Sequence, residues 1–387
     1  MYYLKLFDET LLTFEMKREL SLKIYDINIV SKNRKIFPEL LKEKIDSETI
    51  EEFLKQRIVP KNRAFVQEIL ESQNLNLKDT KGIIDVCKGL SLNDCYWVVD
   101  NDNLKFDDFN LYDNDFSTTL SLIAFTGYTS KIKGIATSPE FTTNGALPKA
   151  WRRIENKIYL YKGSTEEWNF SNTGYEPYSE YYASQLAKAM NINAVQYDLD
   201  KWKGILASVC QLFTSKESSY IPIWLASNSD KIEDIYKWCC DNGFKEEFAD
   251  MILFDSLIFN HDRHLGNFGV MKNNITGEYM SFAPIFDNGE GLLSKGNIKA
   301  FESKKSFEEY IKSDSVNISS YGVNYKELVR AFCGKSQIAK LRKVLTFKFK
   351  KHKLYNLSDS RLELLNNMII ERAKELILEI EKVVNKN

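Results

Sequence analysis

The sequence is poor in the residues that most often bind zinc or form disulfides. Its 387 residues include three histidines and six cysteines, and no cysteines have paired CxxC spacing. Structural zinc sites need four such ligands, and a disulfide framework needs an oxidising compartment. These residues therefore exclude a zinc-binding fold and favour the reduced thiols of a cytosolic protein.

Two further absences concern net charge and long apolar segments. Lysine plus arginine number 53 and aspartate plus glutamate 54, so the net charge of -1 gives no general attraction to nucleic acid. No segment approaches the roughly twenty apolar residues that span a bilayer, and charges come too early for a signal peptide. We expect a cytoplasmic protein that binds neither nucleic acid nor membrane directly.

The chain is long enough for two or three packed units. Short β-rich runs and charged helical patterns predict an accessory α+β region at residues 1–130. A strand, helix and strand pattern predicts a β-rich lobe at 131–215, and mainly helical patterns predict a helical lobe at 216–387. The predicted fold class is therefore α+β, with two lobes behind an accessory region.

The last helix has a clear start and one apolar face. Ser358 is a suitable N-terminal cap, and a serine there can bond the free N–H groups of the first turn. Apolar residues then recur at helical spacing, which predicts a face buried in the core. They are Leu362, Leu365, Ile369, Leu376, Ile380 and Val383.

A polar segment between two apolar runs contains the residues that best indicate chemistry. Asp262 and Asn267 follow the helical run FADMILFDSLIF, and Asp287 ends the run SFAPIFD. Phosphoryl transfer needs a carboxylate beside the attacking hydroxyl and oxygen ligands for magnesium, and these three residues can fill those roles in order. The step from Asp262 to Asn267 also equals the Asp-to-Asn step of protein-kinase catalytic loops. The pattern predicts a phosphotransferase that uses ATP and Mg²⁺.

The histidines permit one other interpretation, a metal hydrolase. His261 and His264 form an HxxH pair with aspartates nearby. The remaining histidine, His352, lies in the basic run KFKKHK, so the ligands for such a site are too few.

The same segment carries a resemblance to a known family. The pattern N-x-D-x-H-x-x-N of the HipA-like kinases is filled by Asn260, Asp262, His264 and Asn267. The run APIFD (283–287) fits the P-x-Y/F-D segment that follows in that family, and the resemblance covers residues 137–291 best. It implies a bilobed protein-kinase-like fold whose catalytic residues are Asp262, His264 and Asn267 and whose metal ligands are Asn267 and Asp287. The D-R-H-x-x-N string is also similar to the catalytic loop of phosphoinositide kinases.

The resemblance further implies how ATP is bound. The segment NGALPK looks like the family's flexible phosphate loop, with Asn144, Gly145, Ala146 and Lys149 as its binding residues. Lys162 is in the place of the strand lysine, and Glu180 is in the place of the helix glutamate that pairs with it. The connector that bonds the adenine is implied to be Gln211, Leu212 and Phe213.

The implied function is that of a bacterial toxin-like serine/threonine protein kinase. Such kinases often pair with a small DNA-binding antitoxin and act on translation components. Kinases of this family can also be switched off by phosphorylation within the phosphate loop. Because of its position just before this loop, Thr142 is the first candidate for such a site here. Thr143 is the next candidate, and Ser138 lies nearby in the sequence. Two other functions stay open on the same fold: a lipid or small-molecule kinase, and a non-catalytic ATP-binding adaptor.

Overall fold

The computed structural model describes residues 1–19, 22–132, 137–165 and 174–385. By the contacts between its residues the chain divides into two units. The first unit comprises residues 1–162, 212–221 and 270–281. The second comprises residues 163–211, 222–269 and 282–387. The three-part division expected from the sequence stays a prediction.

The first unit begins with a four-stranded antiparallel sheet in the order β3-β2-β1-β4. Its strands are β1 (Tyr2–Leu6), β2 (Glu9–Arg18), β3 (Leu22–Ile29) and β4 (Tyr96–Val99). Four helices follow or interrupt this sheet: α1 (Ser47–Lys55), α2 (Val66–Glu71), α3 (Thr80–Cys87) and α4 (Thr118–Thr126). Residues 11–14 of β2 are all buried, so both faces of this strand are covered at its centre.

A β-hairpin in the first unit carries two of the predicted phosphate-binding lysines. Strand β5 (Lys149–Ile154) pairs with β6 (Lys157–Lys162), and Glu155 and Asn156 between them both have positive φ. Two-residue hairpin loops of this kind need positive φ at both positions. The resulting register places Lys149 directly opposite Lys162.

Two later stretches of the chain return to the first unit. They form most of a three-stranded sheet in the order β11-β10-β9. Its strands are β9 (Ser218–Pro222), β10 (Gly269–Asn273) and β11 (Tyr279–Phe282). Lys272 of β10 is buried and donates to Glu39 at 2.8 Å and to the carbonyl of Phe37 at 2.9 Å, which fastens this sheet to the N-terminal region.

The second unit is mainly helical, and its described residues include an antiparallel strand pair. The strands are β7 (Tyr197–Trp202) and β8 (Ile205–Gln211). Its longer helices are α5 (Glu176–Met190), α7 (Ile232–Asp241), α8 (Lys245–Ile258), α12 (Lys335–Val344) and α13 (Asp359–Val384). The shorter helices are α6 (Ile223–Ser227), α9 (Lys304–Ile311), α10 (Asp314–Asn317) and α11 (Tyr325–Phe332). Within the described ranges no helix is long and apolar enough to cross a membrane.

Helix α8 lies at the centre of the second unit. Every residue from Phe248 to Ile258 is buried, including the carboxylate of Asp255. A helix that is buried on all sides lies inside a core, where its polar side chains need hydrogen-bond or charge partners. The chain leaves this helix at Phe259, whose φ of 55° reverses its direction and starts the polar segment.

The predicted start of the last helix is confirmed. Ser358 caps α13 and its side chain accepts a hydrogen bond from the backbone N–H of Arg361. Five of the six apolar residues of the predicted face are buried, and Val383 in the last turn is partly exposed. Helix ends are less well covered by the core than helix centres, which explains the exception.

Candidate active site

The polar segment after α8 is a tight turn built on buried side chains. Asn260 donates to Asp255 at 2.9 Å, and its own side-chain oxygen accepts from the backbone N–H of Asp262 at 3.2 Å. The hydroxyl of Tyr325 donates to the carbonyl of Asn260 at 2.6 Å. The first residue of the family pattern, Asn260, is therefore a structural residue that shapes the loop.

Asp262 and Asn267, which the sequence paired, are in contact. The Nδ2 of Asn267 donates to the backbone carbonyl of Asp262 at 2.9 Å and lies 3.5 Å from its carboxylate Oδ2. Because a carbonyl can only accept, this bond fixes which end of the Asn267 amide is nitrogen. The amide oxygen is thereby directed away from the Asp262 carbonyl and keeps its lone pairs for a cation.

Arg263 joins the catalytic loop to the segment that contains Asp287. It is fully buried and donates twice to Asp255, at 2.9 and 3.0 Å. Its Nη1 donates to the carbonyls of Asn267 at 2.8 Å and Phe286 at 2.5 Å. Burial alone would lower the pKa of this guanidinium, but the adjacent Asp255 carboxylate outweighs burial and raises it. One permanent cation thus positions the backbone on both sides of the site.

Asp287 has an unusual backbone conformation. Its φ of 56° lies in the left-handed region, which glycine adopts most readily and asparagine and aspartate adopt only occasionally. Its N–H donates to the hydroxyl of Tyr197 at 3.2 Å. Burial raises the pKa of this tyrosine well above its usual value, as do the negative charges of Glu180 and Asp287. The tyrosine therefore keeps its proton, and its oxygen accepts the Asp287 N–H.

Helix α5 holds the residues just after Asp287. The carboxylate of Glu180 accepts the backbone N–H of Asn288 at 2.8 Å. The hydroxyl of Ser179 lies 2.7 Å from the carbonyl of Asn288 and 2.8 Å from that of Gly291. Two successive helix residues thus bind this segment. Glu180 belongs to the second unit and Lys162 to the first, and the ion pair between them stays a prediction.

His264 is exposed and makes local bonds. Its Nδ1 accepts the N–H of Gly266 at 3.0 Å, and its carbonyl accepts the N–H of Asn267 at 2.8 Å. A ring nitrogen that accepts a hydrogen bond carries no proton, so Nε2 carries it in the neutral ring. In this geometry His264 shapes the turn between Asp262 and Asn267, and its catalytic assignment stays a prediction.

The oxygen atoms that this site offers are of the kind that binds magnesium. Asn267 offers an amide oxygen and Asp287 a carboxylate, and Arg263 binds the backbone carbonyl beside each of them. Magnesium prefers oxygen ligands and usually takes only one or two from the protein, with phosphate oxygens and water completing its shell. These two residues would hold the ion.

The candidate phosphate loop begins after a short turn of helix, Pro139–Phe141. Gly145 has a φ of 92°, a conformation that glycine adopts without strain. The ammonium of Lys149 donates to the carbonyl of Asn144 at 2.7 Å and closes the loop, and a side chain at Gly145 would collide with that ammonium. The carbonyl of Ala146 accepts the N–H of Ala64 at 2.8 Å.

Lys149 and Lys162 face each other across the hairpin, and both are buried. Directly opposite residues of an antiparallel pair project from the same face, with Cβ atoms about 5 Å apart. The two lysine side chains therefore leave the hairpin from the same face. Their binding to nucleotide phosphates stays a prediction.

The two candidate phosphorylation sites are both engaged in hydrogen bonds. Thr142 is buried, and its hydroxyl donates to the carbonyl of Leu90 at 2.9 Å. The hydroxyl of Thr143 donates to the carbonyl of Pro139 at 2.6 Å and accepts from the indole N–H of Trp151 at 2.9 Å. Phosphorylation of either residue therefore requires this loop to open first.

The predicted adenine connector starts at the last residue of β8, Gln211. The N–H of Leu212 donates to the carbonyl of Ile158 at 2.8 Å. The ring of Phe213 packs edge-on against Tyr220, with 5.9 Å between ring centroids. An adenine would therefore use other backbone groups of this connector than the Leu212 N–H.

Comparison with known proteins adds to this geometry. No protein-family model matches the chain. Over 163 residues the chain is 24% identical to the serine/threonine-protein kinase CtkA of Helicobacter pylori, a stretch that covers 37% of this chain and 49% of CtkA. The match therefore spans about half the length of that kinase.

Two solved structures are similar to the chain. The crystal structure of the H. pylori proinflammatory kinase CtkA aligns with a TM-score of 0.48 and 19% identity, over 62% of this chain and 94% of that one. The HipA of Shewanella oneidensis, solved with HipB and its operator DNA, aligns with a TM-score of 0.57 and 11% identity, over 100% of this chain and 99% of that one. The chain has the HipA-like kinase fold. The resemblance seen in the sequence and the α+β fold class are thereby confirmed.

Within this HipA-like fold, reasoning from the sequence missed the residues that support the site. Asp255 and Arg263 form its central ion pair, and Ser179 bonds the segment after Asp287. Asp255 could have been suspected, because it is a carboxylate inside a largely apolar helical run and so needs a buried partner. Nothing in the sequence marks Ser179 as part of the site, since serines near the start of a helix are common.

Proposed function

We propose that this chain is an ATP- and Mg²⁺-dependent protein kinase of the HipA-like type that phosphorylates serine or threonine. The arrangement around Arg263 carries the proposal, since this one guanidinium binds the backbone at Asn267 and next to Asp287. Such a link between the two magnesium-binding residues has a clear use in phosphoryl transfer, which depends on positioning and charge neutralisation. The partial match to the kinase CtkA agrees with it.

In this proposal each site residue has one task. Asp262 orients or deprotonates the attacking hydroxyl, and its contact with Asn267 sets its position. Asn267 and Asp287 would hold magnesium, which would supply positive charge beside the phosphate oxygens. His264 completes the turn between Asp262 and Asn267.

The nucleotide would be bound by the first unit's loop and hairpin. Lys149 and Lys162 attract the phosphates, and Asn144, Gly145 and Ala146 offer backbone groups to them. The predicted pairing of Lys162 with Glu180 orients the lysine, as in other kinases. The connector Gln211, Leu212 and Phe213 would bond the adenine.

The proposed biological role is that of a toxin-like kinase in the bacterial cytoplasm. The HipA with a similar fold was solved with HipB and operator DNA, which motivates a small DNA-binding antitoxin as partner here. The acceptor would be a protein, such as a translation component. Autophosphorylation would occur at Thr142 or Thr143 once the loop opens.

The test is transfer of labelled γ-phosphate from ATP and Mg²⁺ by the purified chain, alone and with cell lysate. Asp262→Ala and Asp287→Ala variants are measured beside it, together with Asp241→Ala, a change at the end of α7 outside the site. We expect labelled protein with the wild type and Asp241→Ala and none with the two site variants. Folding of each variant is checked by circular dichroism.

Other outcomes redirect the proposal. A wild type that binds ATP and labels lipid or a small molecule, but no protein, would establish the same centre in another kinase class. ATP binding without transfer to any acceptor would make the chain a nucleotide-binding adaptor and would overturn the proposal.

A further inference from the structure

Arg63 is one of the most deeply buried charged residues of the chain, and its side chain is fully covered. Its Nη2 donates to the carboxylate of Glu140 at 2.6 Å and to the carbonyl of Lys149 at 2.9 Å. Its Nη1 donates to the carbonyl of Thr143 at 3.2 Å. Within the segment 142–149, which contains the candidate phosphate loop, Thr143 lies near the start and Lys149 at the end, and Glu140 lies just before it.

Glu140 and Ala64 extend the contact between Arg63 and the loop. The second carboxylate oxygen of Glu140 accepts the backbone N–H of Trp151 at 2.8 Å, so Glu140 joins Arg63 to strand β5. The residue after Arg63 also contributes, because the N–H of Ala64 donates to the carbonyl of Ala146 at 2.8 Å. Two adjacent residues of the N-terminal region thus bind the loop at both ends and in its middle.

The Arg63–Glu140 pair is poorly explained by stability alone. Burial lowers the pKa of Arg63 and raises the pKa of the Glu140 carboxyl to about 7, although each partner's charge opposes the shift. Desolvation therefore outweighs attraction, and among the described residues the buried Nε of Arg63 has no hydrogen-bond partner. Apolar side chains often replace such pairs without loss of stability. An apolar pair could not donate the hydrogen bonds that Arg63 makes to the carbonyls of Thr143 and Lys149.

We propose that Arg63 is a positioning residue that holds residues 142–149 in the shape needed to bind the phosphates of ATP. The proposal rests on the proposed kinase function and gives part of the N-terminal region a task in it. Removing the guanidinium would release the Thr143 and Lys149 carbonyls. The backbone that leads into β5 would then lose its anchor at Lys149.

The test needs a variant that removes the bonds without leaving a buried charge. Arg63→Met/Glu140→Gln does this, because the glutamine side chain keeps an oxygen for the Trp151 N–H while both charges disappear. The matched control is Lys272→Met/Glu39→Gln, which removes another buried ion pair of the same unit. A third variant, Arg63→Lys, keeps the charge but loses the planar fork that reaches several acceptors.

Two quantities are measured on the full chain: affinity for Mg²⁺–ATP by calorimetric titration, and backbone amide hydrogen exchange of residues 139–151 without nucleotide. In Arg63→Met/Glu140→Gln we expect Mg²⁺–ATP to bind at least about tenfold more weakly and the amides of residues 142–151 to exchange faster. We expect Arg63→Lys to fall between this variant and wild type. The control should match wild type in both quantities, even where its melting temperature falls.

The outcomes separate this inference from the proposed function. Unchanged ATP affinity together with unchanged exchange in the double variant would overturn the positioning role. Equal losses in the control would also overturn it, because they would show only general loosening of the unit. A wild type that binds no ATP would instead overturn the kinase proposal, and with it the nucleotide task assigned to Arg63, whatever the exchange rates show.

Discussion

The side-chain amide of Asn267 donates to the backbone carbonyl of Asp262 at 2.9 Å, so the candidate base and the candidate metal ligand share one hydrogen bond. Asn267→Ala removes this bond and the metal-binding oxygen together. We expect phosphate transfer to fall about 100-fold or more, with Mg²⁺ required at higher concentration. The measurement is the rate of transfer against Mg²⁺ concentration.

The control for Asn267 is Asn242→Ala, since Asn242 is exposed and bonds only within the end of α7. Its rate should equal that of the wild type. A rate for Asn267→Ala within about threefold of wild type would show that Asn267 binds no metal needed for transfer.

Arg263 and Asp255 form the second testable relationship. Arg263→Met leaves the buried Asp255 carboxylate without its cation, and we expect the free energy of unfolding to fall by about 3–5 kcal/mol. Arg263→Met/Asp255→Leu removes both charges and should recover much of that loss. Transfer should stay low in both variants, because the Asn267 and Phe286 carbonyls lose their common donor. Urea unfolding and transfer rates measure the two effects.

Recovery of activity together with stability in that double variant would contradict the positioning role of Arg263. It would mean that the ion pair serves folding alone.

Thr142 provides a prediction on regulation. Its buried hydroxyl donates to the carbonyl of Leu90, so a charge at this position breaks that bond and cannot stay in the same place. We expect Thr142→Glu to weaken Mg²⁺–ATP binding by about tenfold or more, and Thr142→Ser, which keeps the hydroxyl, to match wild type. Calorimetric titration of each variant is the measurement. Equal affinity in Thr142→Glu and wild type would show that this segment does not contact the nucleotide.

We expect Lys272 to make the stability of the protein depend on pH. Burial lowers its pKa from the usual 10.5 to about 8, although Glu39 beside it favours the charged form. Between these two pH values the unfolded chain binds more protons than the folded chain, so the contribution of Lys272 to stability rises with pH. The free energy of unfolding of wild type minus that of Lys272→Met should grow by about 2 kcal/mol from about pH 8 to about pH 10.

The exposed Lys312→Met serves as the reference for Lys272. Its difference from wild type should stay constant over the same pH range. A difference for Lys272→Met that is flat or falls with pH would mean that Lys272 keeps its proton when folded.

Much of the local structure could be predicted from the sequence because it depends on neighbouring residues. The cap at Ser358, the turn between Asp262 and Asn267 and the apolar helix before it all follow from short patterns. The first strand of the hairpin β5–β6 is hard to predict, because it contains arginines on a half-exposed face. Its register, which brings Lys149 opposite Lys162, could not be read from sequence.

The sequence by itself determined which short segments are helices and strands and which polar segment carries the chemistry, since residue type and local spacing set both. Only the tertiary structure decided what holds that chemistry in place. Arg263 reaches Phe286 across 23 positions and Arg63 reaches Glu140 across 77. The partners of a buried charge are chosen by packing between distant segments, and no local pattern records that choice.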